Sequence, residues 1–244
     1  MDKQPISQVF NMDCLEYMRT VPDKYFELSL VDPPYGIDVA NLAYTQKQGR
    51  IVTDKRNGKI RKNTVNKLGY KHGDWDKNVP PAEYFIELFR ISKNQIIWGI
   101  EYFDLPTIGE GRIKWNKLVP EGMSFKKYEM AYCSIIDDIY EFDLLWAGMQ
   151  QAKSFLEPTI HQANKQLNEK RIHPCHKPIM MYKHIISKFA KEGDKILDTH
   201  LGSGSSRIAC YDGGFDFVGF ELDKDYFDAS VKRFENYKAQ LKLF

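Results

Sequence analysis

The chain has 244 residues, 43% of them apolar and 28% charged, a balance that suits a folded globular protein and excludes wholesale disorder. No uncharged stretch approaches the roughly 18–20 residues of a helical membrane span, the first residues lack the pattern of a secretory signal, and four scattered cysteines (Cys14, Cys133, Cys175, Cys210) make neither a disulfide framework nor a zinc ribbon. The net charge of +2 conceals two basic islands, residues 45–72 with nine Lys and Arg against Asp54 alone and residues 161–191 with seven against Glu169 alone, a distribution that suits a polyanion such as nucleic acid.

Tyr25 to Val31 is a short apolar run of strand formers that stops at Asp32-Pro33-Pro34, where two prolines offer no donor to a ladder. This predicts a buried strand ending in a rigid turn. Residues 40–80, with many charges and few periodic apolar positions, are expected to be a basic, mobile insertion. Pro80 and Pro81 precede a helix over Ala82 to Ile91, in which Phe85, Leu88 and Phe89 share a face, and Gln95 to Ile100 follows as a strand. Arg112–Trp115 and Glu129–Ile135 are further strand candidates, separated by Pro120 and Gly122. Pro178 opens a helix that carries Ile179, Tyr182, Ile185, Ile186 and Phe189 on one side and ends before Gly193. The strand Lys195–Leu197 runs into Asp198 to Ser206, then come a helical Arg207–Tyr211, the turn Gly213-Gly214, the strand Asp216–Glu221 and an amphipathic helix over Asp225–Leu241. Strands alternating with helices predict an α/β fold with a mostly parallel sheet and helices on both faces, formed by residues 1–244 as a single domain.

A glycine-rich turn between strand and helix lets a ligand approach the backbone, and a carboxylate about twenty positions on can accept from ribose hydroxyls. Gly202 and Gly204 supply the turn, and Glu221 stands 19 residues after Gly202 at the end of the next strand. Together they predict a nucleoside site. A dinucleotide fits less well, because Arg207 occupies the place of the third glycine and only 23 residues follow Glu221. The cluster His173, Cys175 and His176 lacks a visible fourth ligand at zinc spacing, so no metal is expected.

Asp32-Pro33-Pro34-Tyr35 resembles the Asp-Pro-Pro-Tyr motif of S-adenosylmethionine-dependent amino-methyltransferases that act on DNA. The segments follow in the order Asp13-Cys14-Leu15-Glu16, Asp32 to Tyr35, His173-Pro174-Cys175-His176-Lys177-Pro178, and Asp198-x3-Gly202-Ser203-Gly204. That order resembles the permuted beta group of N6-adenine or N4-cytosine DNA methyltransferases, in which the catalytic half precedes the cofactor loop. The resemblance spans nearly the whole chain, leaving out residues 40–80 and 145–170. It implies a circularly permuted Rossmann-like methyltransferase fold, S-adenosyl-L-methionine as cofactor and double-stranded DNA as partner. A homodimer and a cognate restriction endonuclease are further partners to test, in a cytoplasm that is bacterial, archaeal or supplied by a phage host.

The resemblance further implies roles for individual residues. Asp198 would bind the ammonium of the methionine moiety, while the amides after Gly202, with Ser203, Ser205 and Ser206, would hold its carboxylate at a helix N-terminus. Gly204 and His200 complete that loop, where His200 replaces a Phe common in the family. Glu221 would bind the ribose and Asp13 the adenine amino group, with Cys14 lining the pocket, although a helix cap is the alternative for Asp13. His173 and Lys177 would flank the cofactor. Asp32 and the carbonyl of Pro33 would accept the hydrogens of the target amine, with Pro34 shaping the turn and Tyr35 stacking on a base rotated out of the duplex. Trp98 is expected in the core. Arg50, Lys55, Arg56, Lys59, Arg61, Lys62, Lys165, Lys170 and Arg171 would hold phosphates, and residues 145–172, rich in Gln and Asn, would form a short target-recognition segment. Asp at the first motif position favours adenine over cytosine in the family. The competing readings are N4-cytosine methylation, a non-catalytic nucleic-acid-binding protein on the same fold, and a nicotinamide oxidoreductase, which the missing third glycine disfavours.

Overall fold

A computed structural model describes residues 4–41, 50–53, 60–63, 74–106, 108–123, 125–152, 154–157 and 167–241. In chain order the elements are β1 (Ser7–Phe10), α1 (Cys14–Met18), β2 (Phe26–Val31), β3 (Arg50–Thr53), β4 (Ile60–Asn63), α2 (Ala82–Ile91), β5 (Ser92–Trp98), β6 (Arg112–Asn116), β7 (Tyr128–Cys133), β8 (Ile139–Asp143), β9 (Trp146–Ala147), β10 (Gln150–Gln151), α3 (Ile179–Phe189), β11 (Lys195–Asp198), α4 (Ser205–Gly213), β12 (Asp216–Phe220) and α5 (Lys224–Leu241).

Eight strands form one sheet in the order β1-β12-β11-β2-β5-β7-β6-β8. The five from β1 to β5 are mutually parallel, β7 runs antiparallel to both β5 and β6, and β6 pairs parallel with β8. Short β-branched and aromatic runs fill the parallel centre because strands covered on both faces have no polar side to present. Alternation then splits the core: Ile96, Trp98, Ile196 and Phe217 pack with α3 and α4 on one face, while Ile97, Leu197 and Val218 pack with α1 and α2 on the other. The expected α/β architecture with helices on both faces is what forms. Trp98 is fully buried, its ring set edge-on to Trp115 at 6.3 Å.

The strand expected over Glu129–Ile135 runs Tyr128–Cys133 and several other bounds shift by one residue, while two differences have a clear local reason. The strand expected over Gln95–Ile100 starts at Ser92 and stops at Trp98, because Gly99 turns left-handed at φ 70° and opens a 3-10 turn over Ile100–Tyr102. The helix expected over Arg207–Tyr211 extends to Ser205–Gly213, closed at each end by a left-handed glycine, Gly204 and Gly214. Six strands not expected from the sequence, β1, β3, β4, β8, β9 and β10, are short and gain their definition from pairing. β1 alternates half-buried and exposed residues and is held at the sheet edge by its parallel register with β12. The 40–80 insertion holds the antiparallel hairpin β3–β4, and at its far end Asp76 is buried.

Candidate active site

The chain leaves β11 toward β12 on one side and leaves β2 toward β5 on the other. The carboxyl ends of β11 and β2 therefore open a crevice at a topological switch point, the expected place for a ligand in such a sheet. β2 ends at Val31 and β11 at Asp198, so Asp32 and the glycine loop sit at its mouth. A pocket there is lined by Asp13, Cys14, Asp32 to Tyr35, Trp75, Asp76, His173, Cys175, Lys177, Tyr182, Thr199 to Ser203, Ser205 and Glu221, among others.

On the β11 side, the turn closes with the Gly204 N–H donating to the Leu201 carbonyl at 2.8 Å. Gly202 and Gly204 have φ of 50° and 71°, conformations that favour glycine. Gly204 ends the turn as the residue before α4, which directs the first amides of that helix toward the crevice. The Gly202 N–H donates to Glu221 Oε2 at 2.8 Å, tying the loop to the end of β12. Asp198 and Ser206 stand behind the loop rather than in the pocket wall. The Ser206 hydroxyl and the His200 N–H both donate to Asp198, yet burial lifts its carboxyl from 3.8 to about 7. Burial likewise raises Glu221 and lowers His173 to about 3 and His200 to about 4, so both imidazoles are neutral at pH 7. Where the related motif carries Phe, His200 Nδ1 lies 2.9 Å from the Thr199 hydroxyl, which bonds Tyr84 at 2.6 Å. The position is thus satisfied by a polar chain.

On the β2 side, Asp32 accepts from the Tyr35 hydroxyl at 2.5 Å through Oδ1 and from the Lys177 ammonium through Oδ2. Burial raises the Asp32 carboxyl, with Lys177 and Tyr35 opposing that rise. Lys177, buried in its turn, stays above the ordinary lysine range because Asp32 and Glu129 face it. Glu129 lies 3.5 Å from Lys177 and 2.7 Å from Lys117, and these two cations hold it at about 2 against the effect of burial. β7 can supply Glu129 to this end of the sheet because it runs antiparallel, so its first residues meet the carboxyl ends of its neighbours. The Tyr35 ring stacks on Tyr102 with centroids 4.7 Å apart and planes 6° apart. A Cβ on Gly99 would stand 2.1 Å from Tyr35 Cε1, so the ring lies where a side chain would otherwise be.

Asp13 caps α1, its Oδ1 accepting from the Leu15 N–H at 2.9 Å, and it also lines the pocket. The cap and pocket readings coexist. Burial pushes the Cys14 thiol up to about 12. Thr199 and Glu129 carry no site signal in the sequence, Trp75 and Asp76 carry only a weak one, and Tyr182 is legible there only as a residue on the apolar face of α3. Trp75 packs on His173 with centroids 4.8 Å apart, and Asp76 accepts three backbone N–H bonds from residues 35–39. The Asp74-Trp75-Asp76 triplet at the end of a charged stretch was the available signal. His176 is buried among Trp146, Glu169 and Ser205, and Arg233 of α5 donates to the Ser203 carbonyl and to Ser205 at 2.7 and 2.9 Å, holding the glycine loop from outside. Arg207, in the place of a third glycine, donates to Ser7. No cluster among the described residues could hold a metal ion, and no described helix is long and apolar enough to cross a membrane.

Of the nine basic residues expected to hold phosphates, Lys55, Arg56, Lys59 and Lys165 lie outside the described residues, and Arg50, Arg61 and Lys62 are described only as strand backbone. Lys170 is exposed. The Arg171 guanidinium lies over the Trp146 ring, 4.6 Å from its centroid.

The DNA methylase family of N6 and N4 type matches residues 36–232. Type II methyltransferase M.HinfI of Haemophilus influenzae is 25% identical over 268 residues, covering 96% of this chain and 69% of its own length. Type II methyltransferase M2.MboI of Moraxella bovis is 23% identical, with 96% and 89% covered. Among solved structures, the PvuII DNA methyltransferase, a cytosine-N4-specific protein, superposes with a TM-score of 0.51 at 13% identity over 94% of this chain and 87% of its own. At that identity the likeness concerns the fold.

Proposed function

Because this chain belongs to the N6/N4 DNA methylase family, we propose that it transfers a methyl group from S-adenosyl-L-methionine to the exocyclic N6 amine of an adenine rotated out of double-stranded DNA. One observation carries the reading: a single crevice brings the Asp32–Tyr35 tetrapeptide against the glycine loop and Glu221. The donor set fits the cofactor. Left-handed glycines and the first amides of α4 suit its carboxylate, Glu221 and Asp13 in the pocket wall suit hydroxyl and amine donors, and Asp198, to which the resemblance assigns its ammonium, lies buried just behind the loop. When bound, the cofactor supplies a methyl group made electrophilic by a sulfonium.

The remaining chemistry belongs to the chain. The exocyclic amine of adenine is a weak nucleophile because its lone pair is delocalised into the ring. Asp32 and the Pro33 carbonyl accept the two amine hydrogens, and these bonds strengthen as nitrogen becomes tetrahedral and positive. The amine proton turns acidic only after attack and then passes to the Asp32 carboxylate or to solvent as the sulfonium becomes a neutral thioether, so Asp32 needs no raised basicity. Lys177 keeps Asp32 oriented in the crevice and neutralises it before substrate arrives. Tyr35 borders the place for the target base, and because Tyr102 already stacks on its ring, a base rotated out of the duplex, at a cost of about a few kcal/mol, takes the place of Tyr102 or meets the edge of the Tyr35 ring. The basic islands hold phosphates, residues 145–172 read base edges, and the whole chain works as one domain in the cytoplasm of a bacterial, archaeal or phage-infected cell.

Nucleoside analysis of DNA from methylation-deficient cells that express the chain tests this directly. N6-methyladenine is the expected product. N4-methylcytosine would move the reading to the family's other chemistry, and unmodified DNA bound by folded protein would leave a nucleic-acid-binding protein. Binding of NAD in place of S-adenosylmethionine in a thermal-shift comparison would overturn the cofactor.

A further inference from the structure

Asp76 is 2% exposed and lies in the segment that leads from the basic insertion to α2. Its carboxylate is met by backbone amides. The Tyr35 and Gly36 N–H groups donate to Oδ1 at 2.7 and 3.1 Å, and the Val39 N–H donates to Oδ2 at 2.9 Å. The Asp76 carbonyl in turn accepts from the Asp38 N–H at 2.8 Å. Gly36 and Asp38 both have left-handed backbones, at φ 71° and 54°, so residues 35–39 wrap around a single buried anion as a concave nest of N–H groups. Bonds to a charged acceptor are stronger than neutral ones, and leaving them unmade in a buried site is costly. Three donors on one carboxylate therefore fix a loop in which Gly36 turns left-handed freely and Asp38 does so at some cost.

We infer that Asp76 is a positioning residue for the catalytic tetrapeptide: it clamps the backbone of Tyr35, and with it the Tyr35 hydroxyl that donates to Asp32. The inference rests on the reading of Asp32–Tyr35 as the catalytic motif. Two further contacts limit where the Tyr35 ring can go, Gly99 beneath it and Tyr102 stacked on it, so a shift of its backbone has no slack to absorb it and is passed to Asp32. Trp75, the preceding residue, packs on His173, and a Cβ on Gly202 would lie 3.5 Å from that imidazole. The same dipeptide thus touches both walls of the crevice, but only its Asp76 half grips the tetrapeptide.

The test compares the full chain with Asp76→Asn, which retains one acceptor oxygen, and Asp76→Ala, which retains none. Three quantities are read: single-turnover methylation with both ligands saturating, S-adenosylmethionine affinity by calorimetry, and hydrogen exchange of individual amides. The expected result is a graded loss of rate, roughly tenfold for Asn and up to about 100-fold for Ala, with cofactor affinity within about twofold of the unaltered chain. Exchange should accelerate at Tyr35, Gly36 and Val39 while Leu30 and Val31 of β2 stay protected. An ordinary structural anchor would instead loosen β2 as well and weaken cofactor binding together with the rate; that pattern, or unchanged rates, overturns the inference. If neither variant folds, exchange in the unaltered chain decides, since the three amides must be protected as strongly as β2 and free exchange refutes the clamp. An unaltered chain that methylates no DNA refutes the functional reading instead, and the exchange result still tests the clamp.

Discussion

At the scale of single residues, the crevice is a set of buried charges each held by a named neighbour, and this makes its chemistry dependent on pH. Asp198 shows the effect most directly. Burial raises it to about 7, aided by the negative charges of Asp32 and Glu221 and opposed by Ser206 and the His200 N–H. If the cofactor's ammonium reaches Asp198 from the pocket side of the loop, it favours the ionised carboxyl, and binding below that value then releases a proton. Affinity for S-adenosylmethionine should therefore fall by up to about tenfold per pH unit below 7 and level off above it. Calorimetry at pH 6 and 8, in buffers of different ionisation enthalpy, should detect the released proton, and Asp198→Asn should abolish both the release and the slope. Asp32 plays a different part, because its bond to the target strengthens in the transition state. Asp32→Ala should lose methyl transfer by at least roughly 10²- to 10³-fold while retaining DNA binding. Near-normal single-turnover rates in the folded variant would remove Asp32 from the chemistry.

At the scale of elements, what matters is where strands end. β2, β11 and β12 are parallel and adjacent or nearly so, so three loops that lie far apart in sequence emerge at one edge, and antiparallel β7 adds Glu129 by its first turn of chain. The glycine loop depends on this arrangement. Gly204 is left-handed, and a Cβ there would also meet Ser230 Cβ at 3.3 Å. A branched side chain must therefore unwind the start of α4 and redirect its amides. Gly204→Val should reduce S-adenosylmethionine affinity below detection while the sheet still melts cooperatively, and unchanged affinity would show that the loop does not hold the cofactor. Arg233 and Glu169 brace the same loop from α5 and from the segment before α3, their side chains 3.0 Å apart. Glu169 also accepts from the Ile179 N–H, which caps α3. One carboxylate from the Gln- and Asn-rich segment is thereby committed to the frame of the site.

At the scale of the whole molecule, a net charge of +2 spread as two basic islands makes DNA affinity a question of local rather than total charge. Each phosphate contact contributes about −0.9 to the slope of log K against log salt on duplex DNA. Replacing Arg56, Lys59, Arg61 and Lys62 with Ala should flatten that slope by several units if all four contact phosphate, while cofactor affinity stays unchanged. A slope identical to that of the unaltered chain would make the island a solvated face. Family membership fixes the reaction class as DNA methylation, and the identity of the methylated base is the product analysis set out above.

The sequence by itself determined the alternating α/β pattern, the strand that stops at Asp32-Pro33-Pro34, the helix over Ala82–Ile91 and the glycine turn with its carboxylate 19 residues on. These are local signals: proline ends a ladder, glycine opens a turn, and periodic apolar residues choose a face. Only the tertiary structure decided that Asp13 is at once a cap and a pocket residue, that Asp198 and Ser206 stand behind the loop, and that Asp76 and Glu129 belong to the site. The short strands β1 and β8 likewise needed partners distant in sequence to exist. The physical reason is common to all of them. A buried carboxylate takes its role from the groups that meet its charge: the amides of residues 35–39 reach Asp76 from about 40 residues away, and Lys177, which joins Lys117 on Glu129, from about 50, so both come within reach only when the sheet is assembled.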